Sequence, residues 1–568
     1  MWAWKLFDSS SKIPTGLLAG NIADLGFFDE CLSAKYERQD DVIRGKYCKA
    51  AIPLKKIIPG VADKESFTLG SWNGPQTRGA INLQSAVPRL TLALCVPDSC
   101  DVESLNSLLN GTLAQTSLDY TIINCQSSEP ETLSTGDWIT VAFFALVFVI
   151  MITSTAYDLF IHYKGQEPAH LILVAFSVYT NGRKLLTVSK NPGQLECING
   201  LRFISMMWVV IGHTYFTAFF SPGINALDSV EWGEKITSIL TPSLAVMVLL
   251  HVTLIRYLGS GPNWPEVTAY LEGNCQKYWW STLLYIQNYV NPDNTCITQT
   301  WYLSVDMQLF IVSPILLIPL GKWPKITLQL SALLVVLSVV SPFLLTWYYE
   351  IDGLMSKAIF NTEFTKYYYD NTYARFGPTL IGIILGYFVY YRKENNKLNM
   401  VFKNKYLNLL GWVISVGSLL VITFGPNNMF HHEYNRLESS LFLAMHRVAW
   451  AIALTWVIYA CLIGRGGLVN SFLSLSAFQV LGRLTYSMYL IHLSLQFMKI
   501  GYLRVPIYFS DFQNMYNFWG DFVFTAAIAI VWTLAFESPI LIVEKIIFKD
   551  TKKKPVKNEN KNRIATET

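Results

Sequence analysis

One stretch limits what the rest of this 568-residue chain can fold into: Cys197 to Phe216, reading CINGLRFISMMWVVIGHTYF. As a helix it is long enough to cross the hydrocarbon core of a bilayer. Two basic residues lie inside it, Arg202 and His213. Their separation is about three helical turns, so they project to nearly the same side, roughly 17 Å apart along the axis. An ionisable residue inside a membrane helix is costly and raises a site hypothesis by default. The imidazole of His213 can take or give a proton near neutral pH. The plainer reading is that Arg202 anchors the helix at the interface and His213 bonds to a neighbouring helix, and these two residues alone do not separate the readings.

The remainder fits a membrane setting. Hydrophobic residues make up 52% of the chain and charged residues 15%, with mean hydropathy +0.31. Aromatic residues, 14% of the chain, suit the belts at membrane interfaces. A polytopic membrane protein follows. No Walker loop, no GxGxxG after a strand and no nucleic-acid-binding pattern is present, so no nucleic-acid partner is expected. Five cysteines (Cys31, Cys48, Cys95, Cys100 and Cys125) precede the first long apolar run, and Cys275 and Cys296 share a later loop. Clustering in the polar segments argues for disulfides in an oxidising compartment. Cys275 and Cys296 are expected to pair, and the first five to give two bridges and one leftover. Zinc is the rival, but there is no CxxC pair and no His in those segments, so no metal is expected.

Residues 1–136 read as a small extracellular domain, with Asn110 in a glycosylation sequon. The opening MWAWKLFDSSSKIPTG has no apolar core of signal-peptide length. Residues 137–196 hold a linking helix and a cytosolic loop, 197–548 a membrane domain, and 549–568 a basic cytosolic tail read as disordered and lying near anionic lipid. Ten apolar runs appear, at 138–161, 201–220, 239–258, 303–320, 326–347, 374–391, 406–424, 444–463, 477–498 and 521–547. The shorter run 278–290 reads as interfacial. By the positive-inside rule, 162–200, 392–405 and the tail from Lys545 are cytosolic, whereas the acidic loop 348–373 is outside. Ten crossings break this pattern: every loop after the third run takes the wrong side. Either the run at 239–258 does not cross, or a crossing is absent between His213 and residue 259.

Several blocks, in order, resemble nose resistant to fluoxetine-like proteins, which join a cysteine-rich extracellular domain to an acyltransferase-3 membrane domain. They are IPTGLLAGNIADLGFFDECL, GKYC and LALCVPDSC in the first part, and then INGLRFISMMWVVIGHTY, LGSGPNWP, WYLSVDMQLF, YARFGPTLIGIILGY, HRVAWAIALTWVIYAC, LTYSMYLIH and FESPILIVEK. The resemblance implies a mainly α fold: a polytopic helix bundle of the acyltransferase-3 type with a small disulfide-containing ectodomain. It implies an activity that moves an acyl group from acyl-CoA, the donor substrate, to a hydroxyl acceptor. His213 would be the catalytic base, with Arg202 at the cytosolic edge steering the CoA phosphates.

The chain departs from that family at one place. Relatives carry a second helix and paired arginines before the block LTPSLA; here the text is WGEKITSILTPSLAVMVLL. An internal deletion accounts for the missing crossing, and those arginines are implicated in donor handling. The chain also starts inside the family's ectodomain, which explains the absent signal and the odd cysteine. Three functions are therefore weighed: a membrane O-acyltransferase, a facilitator of lipid or hydrophobic small-molecule uptake, and a non-catalytic isoform. Asp306 reads either functionally, orienting the acceptor or exchanging a proton with His213, or as a packing hydrogen bond together with Gln308. Arg375 and Arg447 start or enter spans, Glu537 reads as the partner of an intramembrane arginine, and His492 reads as a packing histidine. His431 and His432, adjacent in a loop, are weak metal ligands. The acceptor itself cannot be read, and the membrane is a plasma membrane or an endomembrane.

Overall fold

The computed structural model describes residues 2–12, 14–17, 21–38, 41–53, 89–112, 120–129, 131–188, 196–220, 241–354, 363–394, 405–430, 432 and 434–548. His431, the link 221–240, in which the suspected deletion falls, and the tail 549–568 lie outside the described residues. The chain forms two compact units, Met1–Thr140 with Val188–Ala529, and Val141–Thr187 with Ile530–Thr568.

The first unit begins with a five-stranded sheet of β1 (Ala23–Asp24), β2 (Lys35–Arg38), β3 (Asp41–Pro53), β4 (Arg89–Pro97) and β5 (Thr121–Gln126). The long strand β3 pairs antiparallel with β2, β4 and β5, and β1 joins β4 in parallel. Helices α1 (Trp2–Ser9), α2 (Phe28–Ser33) and α3 (Val102–Thr112) pack around it. Leu6, Phe28, Tyr47 and Ala93 fill one core. So small a core gains from cross-links. Cys31 is bridged to Cys95 and Cys48 to Cys125, and Cys100 is the leftover. The Asn110 sequon falls in the last turns of α3.

The rest is helical: α4 (Thr135–Tyr163), α5 (Val178–Leu186), α6 (Cys197–Phe220), α7 (Thr241–Thr253), α8 (Trp264–Leu271), α9 (Gly273–Leu283), α10 (Trp301–Lys322), α11 (Pro324–Tyr348), α12 (Phe376–Glu394), α13 (Lys405–Phe424), α14 (Arg436–Leu462), α15 (Ser476–Tyr502), α16 (Asp511–Trp532) and α17 (Ser538–Phe548). Among the described residues, six helices are long and apolar enough to span a membrane; they begin at Thr135, Thr298, Pro324, Lys405, Arg436 and Asp511. The apolar side chains on α11 and α13, such as Ile326, Leu333, Val336, Val413 and Val421, stay exposed, as a lipid-facing surface requires. Helices α6 and α15 are as long but carry more polar residues. Helix α15 is buried on most sides, with Gln479, Ser487, His492, Ser494 and Gln496 among its buried residues. Helix α7, Thr241–Thr253, follows directly on the link that lies outside the described residues.

Cys275 on α9 is bonded to Cys296, with Cα atoms 4.1 Å apart. The sheet docks on this part of the chain through Lys49 of β3, which pairs with Glu266 of α8 at 2.6 Å; both side chains are only 4% exposed. Asn124 also donates to Glu266, and Gln126 donates to the Gly261 carbonyl at 3.1 Å. The block LGSGPNWP makes this dock. Gly261 has φ +152°, and a Cβ there would stand 2.2 Å from the Gly501 carbonyl oxygen. In the second unit, the buried Asp158 accepts from Ser177 Oγ (2.5 Å) and from the Thr180 amide (3.2 Å). Phe144 meets Phe536 edge to face, and Thr533 donates to Glu537 at 3.3 Å.

Candidate active site

Helices α6 and α15 run against each other along their length. At one end Gly200 of α6 closes on the residues just before α15, where a Cβ would stand 2.3 Å from the Leu473 carbonyl oxygen. Phe203 stacks on Phe478 with ring centroids 4.9 Å apart. Further along, Gln496 of α15 donates to the Val210 carbonyl (3.2 Å) and to Thr214 Oγ1 (2.9 Å). Thr214 in turn donates to Asp521 of α16 at 3.2 Å, and Lys499 holds that carboxylate at 2.6 Å. Between these contacts His213 Nδ1 lies 2.8 Å from His492 Nε2.

His492 is fully buried, and His213 is half-buried. The other nitrogen of His492, Nδ1, faces two backbone carbonyls of its own helix, Met488 at 3.1 Å and Tyr489 at 2.7 Å. His492, read from the sequence as a packing histidine, is a direct partner of the ring that the sequence singles out. The spacing of apolar residues on α15 carried no such signal; the block LTYSMYLIH, which ends on His492, could have raised it. A second buried histidine, His251 of α7, contacts the Met247 carbonyl at 2.9 Å and Ser494 Oγ at 3.0 Å.

Arg202 is exposed on α6, roughly 17 Å of helix from His213, so the two do not meet. Its exposed end of the helix suits contact with an anionic group from solution. Asp306 is half-buried on α10, and no hydrogen-bond or ion-pair partner for it exists among the described residues. The packing bonds come from Gln308 instead, which donates to the Tyr285 carbonyl (2.7 Å) and to Asn288 (2.9 Å).

A second polar centre lies beside the loop 363–375. Arg375 Nε donates to the Tyr369 carbonyl at 2.6 Å, and its guanidinium lies over the rings of Trp301 and Tyr369. Arg447 donates to the Ala374 carbonyl at 2.9 Å and lies over Tyr368. The buried Asp370 is pushed up to about 7 by loss of hydration, against the pull of Arg375 and Arg447. Tyr489 lies beside the histidine pair: its hydroxyl donates to the Gln299 carbonyl, and its ring is 5.7 Å from that of His492. Near the sheet, burial likewise raises Glu272 to about 7, although Arg256 stands 3.3 Å away. No group of three or more His, Cys, Asp or Glu among the described residues is placed to hold a metal.

Residues 1–109 match the family described as the nose resistant-to-fluoxetine protein N-terminal domain, and residues 232–538 match the acyltransferase domain of the acyltransferase-3 family. Helix α6, with Arg202 and His213, lies outside both matched ranges. Nose resistant to fluoxetine protein 6 of Caenorhabditis elegans is 26% identical over 666 aligned residues, covering 99% of this chain and 80% of that protein. The alignment is longer than this chain, so at least 98 of its positions (666 − 568) have no counterpart here. Regulator of hypoxia-inducible factor 1 of the same organism is 24% identical over 389 residues, covering 57% of this chain and 74% of that protein. No solved structure matches. The match over more than half of the chain places it in the acyltransferase-3 family, as a multi-pass membrane member that carries a disulfide-bonded nose resistant-to-fluoxetine N-terminal domain.

Proposed function

We propose that this chain is a membrane O-acyltransferase that takes an acyl group from acyl-CoA and transfers it to a hydroxyl acceptor. The observation that carries the reading is His213: an imidazole on a core helix, in direct contact with a second imidazole, within a family whose domain is named for acyl transfer. His213 takes the proton of the acceptor hydroxyl as its oxygen attacks the thioester carbonyl. The carbon–sulfur bond breaks, and the proton passes from His213 to the departing thiolate. Arg202, at the exposed end of α6, offers a cation to the CoA phosphates. Asp306, with its carboxylate unclaimed, is proposed to orient the acceptor. The disulfides support an extracellular or lumenal N-terminal domain, with Asn110 as its glycan acceptor and the basic tail in the cytosol.

The test is release of CoA thiol from acetyl-CoA by the purified full chain. His213→Ala is expected to abolish release while leaving membrane yield unchanged; undiminished release would remove His213 from the mechanism. The family resemblance also supports a second reading, a non-catalytic isoform or an uptake facilitator, because it implies a further helix before the block LTPSLA that the text of this chain lacks. A wild-type chain that inserts normally and releases no thiol would decide for that reading.

A further inference from the structure

We infer that His492 is the positioning residue of this site, fixing the tautomer of His213 so that His213 Nε2 carries the lone pair that accepts a proton. The inference rests on the acyl-transfer reading above and adds to it the group that orients the base.

The argument is one of donors and acceptors. A backbone carbonyl only accepts, so the His492 nitrogen that faces two of them, Nδ1, must carry its hydrogen. Two states of His492 remain. If Nε2 were protonated too, the ring would be a cation, 0% exposed, in a helix core. Burying an unpaired charge there is costly, and among the described residues no carboxylate pairs with it. The neutral ring is the cheaper state, and its Nε2 is then an acceptor. Among the described residues, the atom that satisfies it is His213 Nδ1, at 2.8 Å, which must therefore donate. A neutral His213 whose Nδ1 carries hydrogen has its lone pair on Nε2. The chain of dependence runs from the backbone of α15 through His492 to the base on α6.

The arrangement does more than choose a tautomer. When His213 Nε2 accepts the acceptor's proton, the imidazolium is held through its Nδ1–H by a neutral acceptor that is already in place. His492 keeps its own hydrogen on Nδ1 throughout and neither gains nor loses a proton. The Thr217 hydroxyl, which donates to the His213 carbonyl at 2.8 Å, and the Gln496–Val210 bond hold the α6 backbone around the ring. Ring orientation is thus fixed from both helices.

Two measurements test this on the full chain in detergent. The first is 15N NMR of histidine-labelled protein, assigned by comparison with His213→Ala. Wild type should show His213 protonated at Nδ1 and bare at Nε2. In His492→Phe, which removes the acceptor, the ring should lose that restriction and populate the Nε2–H form. The second is thiol release from acetyl-CoA. His492→Phe should lower kcat by about 100-fold with KM for acetyl-CoA unchanged. His492→Gln, whose amide oxygen can reach the Nε2 position, should recover most of the loss. Equal melting midpoints for Gln and wild type would exclude a folding cause. A wild-type His213 found in the Nε2–H form, or a His492→Gln no better than His492→Phe at equal stability, would overturn the inference. If the tautomer is as inferred but wild type releases no thiol, the acyl-transfer reading fails, and the catalytic meaning of the pair fails with it.

Discussion

A buried imidazole is chemically idle until something decides which of its nitrogens is bare. At the residue scale, the sequence could present His213 but not the acceptor for its Nδ1, because His492 is 279 residues away along the chain. Asp370 shows the same dependence on surroundings. Its carboxyl lies in a loop whose composition predicts nothing unusual, yet burial raises it to about 7, against an ordinary value of 3.8. A carboxyl raised in the folded state binds its proton more tightly there than in the unfolded chain. Its contribution to stability is therefore full below the ordinary value and is lost as pH rises through about 7. The melting midpoint should fall between pH 4 and pH 7.5, and Asp370→Asn should remove part of that slope. An unchanged slope in the variant would show that Asp370 is not the group responsible.

Between elements, the firmest contact of the N-terminal sheet with the helices is the Lys49–Glu266 pair, buried on both sides. Removing one partner strands the other charge, which costs about 3–5 kcal/mol. Glu266→Gln or Lys49→Met should therefore lower the melting midpoint strongly. The double variant Lys49→Met/Glu266→Leu should recover part of the loss, because an apolar pair leaves no buried charge. A double variant as unstable as the sum of the singles would mean that the ions themselves hold the dock. Glycine contacts act at the same scale. Gly200→Ala would force α6 away from the Leu473 carbonyl, and it should reduce thiol release along with stability, since α6 carries His213.

For the whole molecule, the topology turns on the crossing between His213 and residue 259. Loop charges require one crossing more or one fewer there than the apolar runs supply. The alignment that outruns this chain agrees with a segment present in the relative and absent here. Inserting, before the block LTPSLA, a helix with paired arginines of the kind the family resemblance implies is expected to raise both membrane yield and acetyl-CoA turnover. Equal yield and equal turnover for the 568-residue form would make the extra helix dispensable and would sink the deletion account.

What the sequence determined by itself was local in origin. Runs of apolar residues specified membrane helices, because hydrocarbon admits only backbones that satisfy their own hydrogen bonds. Lysines and arginines in the loops assigned sides. Ordered blocks such as INGLRFISMMWVVIGHTY and LGSGPNWP pointed to the family, and the spacing of Arg202 and His213 pointed to a site. The tertiary structure alone decided which polar groups meet. It put His492 against His213, left Arg202 roughly 17 Å along the helix from it, paired Lys49 with Glu266 across 217 residues (266 − 49), and left Asp306 without a partner among the described residues. The physical reason is that burial and hydrogen bonding are properties of neighbours in space: periodicity says which face of a helix is apolar, but not which helix it will face.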